Sequence, residues 1–135
     1  MNPEEVRQRY EAGERDFSMM EAEGANLADV NLSGADLSEA YLFEANLSGA
    51  DLSECNLQNA NLLKANLRGA TLRGANLQEA YLLEADLSSA DLTDADLTDA
   101  NLRDADLSEA SVSEEQWRQA RELEGATLPG KGRKG

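Results

Sequence analysis

Carboxylates dominate the side chains that could do chemistry in this sequence. The stretch DLTDADLTDAN, beginning at Asp91, spaces its oxygens in the manner of a calcium loop. It lacks the glycine at the sixth position and the closing Glu in frame, both of which such a loop needs to wrap an ion. Pairs of carboxylates for general acid and base catalysis can be picked out along much of the chain. They belong to a convex, water-exposed surface with no enclosing pocket, so we assign them no catalytic role. His is absent, which removes the commonest general base and the commonest metal ligand. Cys55 has no second cysteine with which to form an internal disulfide. The expected chemistry is therefore recognition without an enzyme, a cofactor or a metal.

Aromatic side chains make up 4% of the residues, so their placement is informative. AYLFE, residues 40–44, carries Tyr41 and Phe43 where the neighbouring ADLSE and ANLSG carry Asp or Asn and Ser. AYLLE, residues 80–84, repeats the departure with Tyr81 and Leu83, and ANLLK, residues 60–64, carries Leu63.

The net charge of −15 opposes direct binding to nucleic acid phosphates or to an anionic membrane surface. The N-terminal MNPEEVRQRYEAG has acids and amides where a signal peptide needs a basic start and an apolar run. A cytoplasmic location and no membrane partner are the expectation. The chain has 135 residues, enough for one domain with a modest core.

The elements that position these residues follow from a period of five. From Ala25 to Glu114 the chain is eighteen consecutive five-residue words, with Leu at the third position of seventeen and Ala at the first position of sixteen. Asn or Asp fills the second position of fourteen, the exceptions being Tyr41, Thr71, Tyr81 and Ser111. RDFSM and MEAEG, residues 15–24, keep the frame in degraded form. In a helix, leucines five apart scatter around the axis, and in a flat strand they alternate between faces. Within one word, strand geometry points Ala and Leu to one side and Asn or Asp to the other. The fourth and fifth residues must then turn the chain, which makes a solenoid of short sides and corners.

These words, A(D/N)LXX, resemble those of the pentapeptide-repeat family, and the resemblance covers residues 15–114. It implies an all-β solenoid, a right-handed quadrilateral β-helix with four words per coil and Leu and Ala inside. Eighteen words and the degraded pair then make about five coils. At about 4.8 Å per layer the rod is about 22 to 24 Å long. Phe43, Leu63 and Leu83, the large apolar fourth-position residues, lie twenty residues apart and share one side in such a coil. Cys55 sits in an Ala slot and is expected to be a buried filler.

A solenoid must cover its two ends. Asn2 and Pro3 start a cap helix that Val6 and Tyr10 would dock and Gly13 would stop, making residues 1–14 an N-terminal cap. The β-helix is expected over 15–112. Ser113 and Gln116 have capping-box spacing, and Trp117, Ala120 and Leu123 recur at helical intervals until Gly125. These predict a C-terminal cap helix within 113–128, followed by a disordered basic tail at 129–135. RYEAGERDFS and LEGATLP are similar to the terminal segments of cyanobacterial pentapeptide-repeat proteins.

With four words per coil, Tyr41, Phe43, Leu63, Tyr81 and Leu83 form an outward apolar patch rimmed by Glu44, Glu84 and Arg103. Aromatic anchors within a polar rim are what protein interfaces use, so a rigid scaffold for an unidentified protein partner is the expected function. A homodimer through this face or an end cap is a further arrangement. Lys64 is expected to separate Glu44 from Glu84 in the stack and so reduce their repulsion. The family resemblance also implies an alternative, an acidic DNA mimic that binds a DNA-binding enzyme such as DNA gyrase. Asp91, Asp94, Asp96, Asp99, Asp104 and Asp106 concentrate charge in the last coils. Lys64, Arg68 and Arg73 interrupt that acidic surface midway.

Overall fold

In the computed structural model the described residues are 1–130 and, for the backbone, 132–133. From Asp16 through Ser111, the second residue of each word pairs in parallel with that of the word twenty residues away. Asp16 pairs with Asp36, Glu21 with Tyr41, Asn26 with Asn46 and Asn31 with Asp51, and each ladder then continues upward. Twenty residues are four words, so the four ladders are the sides of a β-helix that climbs one layer every four corners. The pairings are isolated bridges because each side is too short to extend as a strand before the next corner.

Each corner closes when the first residue of the next word donates its N–H to the preceding Leu carbonyl, as Ala45 does to Leu42 at 3.0 Å. The fifth residue takes a positive φ at every position from Met19 to Glu109. Fourteen of these residues are not glycine, with φ between 56° and 62°. That conformation costs about 1–2 kcal/mol for a residue with a Cβ, so the turn needs support. The second-position side chain supplies it. Asn66 Oδ1 accepts the Arg68 N–H at 3.0 Å, and Asp86 Oδ1 accepts the Ser88 N–H at 2.9 Å. Where the fourth residue is Ser or Thr, its hydroxyl often donates to the same oxygen, as Ser53 does to Asp51 at 2.6 Å. Asn and Asp recur because their short acceptors reach a backbone donor two residues on. These outward side chains, expected on the water-exposed surface, thus have a folding role.

Inside, Leu27 to Leu107 and the intervening Ala residues form one continuous core. Each fully buried Leu contributes about 1.5–3 kcal/mol, and Ala fits where a larger residue would overpack. Helix α1, Pro3–Glu11, covers the first coil. Its N-cap Asn2 accepts the Glu5 N–H at 2.8 Å, and Val6 is buried on the core. The Tyr10 hydroxyl donates to the Ser33 carbonyl at 2.7 Å, satisfying an acceptor of the lowest coil.

The C-terminal end differs from the long cap helix expected within 113–128. Helix α2 spans only Glu114–Trp117, with Ser113 and Gln116 forming a capping box. Trp117 is buried, and Gln116 Nε2 donates to the Leu92 and Ala95 carbonyls. The chain then returns to the coil, pairing Glu122 with Asn101 and Thr127 with Asp106. The offset is now twenty-one residues, one more than below. RELEG and ATLPG are two further words, with Gly125 and Gly130 at positive-φ corners and Ala126 and Leu128 buried. A helix continued to Gly125 would have left the top of these ladders without partners. Instead the Glu122 carbonyl accepts the Leu102 N–H at 2.9 Å, and the Thr127 carbonyl accepts the Leu107 N–H at 2.7 Å.

Strand β1, Thr127–Leu128, pairs antiparallel with β2, Gly132–Arg133. Within the expected disordered tail at 129–135, the described residues carry a turn at Pro129–Gly130 and this pairing. Lys131, Lys134 and Gly135 lie outside the described residues. Among the described residues, no helix is long and apolar enough to cross a membrane.

Candidate functional site

The ladder Glu21, Tyr41, Asn61, Tyr81, Asn101 brings the five residues singled out from sequence onto one side of the coil. Phe43, Leu63 and Leu83 occupy consecutive layers of that side. Their carbonyls accept the N–H groups of Gly24, Glu44 and Lys64 at 2.9, 2.8 and 2.9 Å. Tyr41 is 45% and Tyr81 38% exposed, whereas Phe43, Leu63 and Leu83 are half-buried in a row beside them.

Tyr41 and Tyr81 have no short acceptor with which to close their own turns. On the same side, Asn61 Oδ1 accepts the Leu63 N–H at 3.1 Å and Asn101 Oδ1 accepts the Arg103 N–H at 3.0 Å. The N–H groups of Phe43 and Leu83 have no such partner, and a typical hydrogen bond of this kind is worth about 1 kcal/mol. Two layers thus forgo a turn-closing bond and present a phenol ring to solvent.

The rim is acidic at both corners. Glu44 and Glu84 stand at one corner with Lys64 between them, and Glu39 and Glu79 stand at the other with Asn59 between them. Lys64 lies in register between Glu44 and Glu84 as expected, yet makes no ion pair within 4.0 Å among the described residues. Arg103, expected in the rim, turns to Glu124 at 2.9 Å and Glu122 at 3.9 Å. Both acids belong to the resumed coil and not to the helix expected there. Met19, 59% exposed at the corner leading into the Glu21 layer, is an apolar residue beyond the five expected. Its position as the fifth residue of the degraded word RDFSM was the available signal.

The pentapeptide repeats family model matches in eight copies over residues 23–59, 50–88 and 80–114. The chain belongs to the pentapeptide repeat family. Among solved structures it is similar to the pentapeptide repeat protein Rfr23 from the cyanobacterium Cyanothece 51142. That match has 29% identity and a TM-score of 0.76, covering 95% of this chain and 96% of that one. QnrB1, a plasmid-mediated fluoroquinolone resistance protein, matches at 20% identity with a TM-score of 0.55. The match covers 84% of this chain and 59% of QnrB1 and shows the fold alone. No curated protein matches the sequence.

In this pentapeptide repeat protein, carboxylates at second positions are occupied by turn closure. Thr93 and Thr98 hydroxyls donate to Asp91 and Asp96 at 2.6 Å, and those bonds hold both carboxyls below the usual carboxylate range. Arg73 also donates to Asp91 at 3.1 Å, and Gln78 to Asp96 at 2.6 Å. Their oxygens turn back onto the chain, and no group of three potential ligands is arranged to hold a metal ion among the described residues. Cys55 lies in the core with its thiol donating to the Leu32 carbonyl at 2.9 Å. Burial pushes this thiol up to about 12, which suppresses the thiolate needed for reaction.

Proposed function

We propose that this protein is a non-enzymatic, rigid interaction scaffold, a right-handed β-helix of about five coils that binds a protein partner through Tyr41, Phe43, Leu63, Tyr81 and Leu83. The supporting observation is that Tyr41 and Tyr81 replace the acceptor that closes the turn in most other words. Folding favours Asn at those positions, so an outward aromatic residue there serves a different need. The rigid ladder holds the anchors in place before binding, which limits the ordering cost of association.

The test changes Phe43, Leu63 and Leu83 together to Ser and compares affinity capture from the source organism with that of the parent protein. A Ser48→Ala, Ser108→Ala variant on a neighbouring side serves as control. Proteins retained by parent and control but lost by the folded triple variant identify the face as the interface. Unchanged retention by the triple variant overturns the proposal. The competing reading, an acidic mimic for a DNA-binding enzyme such as DNA gyrase, predicts binding that survives the triple change and weakens steeply with salt.

A further inference from the structure

The geometry points to a short cationic amphipathic helix, lying along the solenoid axis, as the element that docks on the Tyr41–Tyr81 side. This inference rests on the interface proposed above and specifies the chemistry of its occupant. Three features of the face carry it.

The ladder groups of this side are already committed between layers, and the unbonded N–H groups of Phe43 and Leu83 lie two layers apart and make no strand edge. Glu44 and Lys64 donate to the next layer, and Tyr41 and Tyr81 donate to the layer below. A partner strand would find no free edge here, so the partner must satisfy its own backbone internally, as a helix does. The row Phe43, Leu63, Leu83 also has a helical match. Its layers repeat every 4.8 Å or so, while helix turns repeat every 5.4 Å or so. The two differ by about 0.6 Å per step, so residues at i, i+4 and i+7 of a helix can each meet one layer.

Charge selects the sign of the partner. Glu39 and Glu79 on one corner and Glu44 and Glu84 on the other are exposed, and none has an ion-pair partner among the described residues. Glu79 and Tyr81 line one shallow hollow, so acid and ring meet the same ligand. The apolar row thus runs between two acidic rails; Lys64 stands between Glu44 and Glu84, Arg121 borders the hollow at the upper end, and Arg103 above the row is engaged by Glu122 and Glu124. Lys or Arg flanking an apolar stripe would meet these rails on both sides. A second copy of the chain would not. With the rows in register, either two-fold arrangement of two such faces sets carboxylates against carboxylates, on a molecule of net charge −15.

The probe is a synthetic sixteen-residue helical peptide with apolar residues at i, i+4 and i+7 and Lys on both flanks, with binding followed by fluorescence anisotropy. Controls are the same composition scrambled to abolish the stripe and a version with Glu replacing Lys. The striped cationic peptide is expected to bind at least about tenfold more tightly than either control, a difference near 1.4 kcal/mol. Glu39→Gln, Glu79→Gln and Glu84→Gln together should weaken it about fivefold or more and flatten its salt dependence, leaving the melting temperature unchanged.

No binding, or equal binding by the Glu-flanked peptide, overturns the cationic helix. The interface reading survives if the Phe43, Leu63 and Leu83 variant still loses its captured partner. Equal binding of the cationic peptide to that variant would reduce the interaction to bulk charge and overturn the docking site. A dimer of the parent chain that the triple variant breaks would place a second copy on the face instead.

Discussion

Two sides of this β-helix share one backbone and differ in what they show to solvent. The side carrying Asn26, Asn46, Asn66, Asp86 and Asp106 closes each of these words' turns with a second-position oxygen, at 2.9–3.2 Å. The adjoining side alternates Tyr41, Asn61, Tyr81 and Asn101, and its tyrosine layers forgo that bond. Ladder spacing and corner conformation are alike in both, with φ of 59–60° at Glu44 and Glu84 and 60–61° at Asp29 and Ser89. The backbone therefore tolerates either chemistry, and the proposed interface is what would account for the difference.

The strongest test asks whether the two sides share their interior. Leu67→Asp beneath the polar side and Leu62→Asp beneath the apolar side each bury a charge in a fully enclosed slot. Each should abolish cooperative thermal unfolding, measured by circular dichroism, through a loss of several kcal/mol. A parent-like melt in only one variant would show that the core is not continuous. The exterior is tested next. The Phe43, Leu63 and Leu83 to Ser change should eliminate partner binding and shift the melting temperature by only a few degrees, since these side chains are half-buried.

A pair of reciprocal substitutions sharpens the comparison further. Asn66→Ala removes a turn acceptor and should cost about 1 kcal/mol in urea unfolding. Tyr81→Asn restores one and should stabilise by up to about 1 kcal/mol while weakening partner binding. If Tyr81→Asn destabilises instead, the rings hold the layers together and the interface reading loses its main support.

The smallest effect separates Asp from Asn at second positions. Asp91 and Asp96 titrate lower in the folded chain than in the unfolded one because Thr93 and Thr98 hydrogen-bond their carboxylates. Their stabilising contribution is therefore complete above the unfolded value of about 3.9 and is lost as pH falls through the lower folded value. Asp96→Asn keeps an acceptor that does not titrate. It should leave stability near pH 7 almost unchanged and reduce the loss of melting temperature as pH falls below the unfolded value of about 3.9. An unaltered acid profile would remove Asp96 from the transition.

Some of this was legible before any coordinates. Leu and Ala at fixed places in each word declared the interior, and the twenty-residue spacing of Phe43, Leu63 and Leu83 put them on one side. Turn closure by Asn and Asp was hidden because a polar outward residue looks the same whether it is solvated or bonded to its own backbone. The late words RELEG and ATLPG were hidden by a one-residue insertion that broke the frame, and by Trp117, Ala120 and Leu123 falling at helical intervals. Arg103 falls at the rim by its register in the coil, and its turn toward Glu122 and Glu124 was hidden because those acids lie on the expected helix.

The sequence by itself determined what lies inside, because a period of five leaves Leu and Ala one common direction only if the chain turns after every word. Tertiary structure decided how the rod ends and what its surface groups meet. The top ladder left carbonyls and N–H groups that only a returning coil could satisfy, and that requirement overrode the local helical spacing after Trp117. It also decided which charges are engaged, since pairing depends on distances between layers that lie twenty or twenty-one residues apart in the chain.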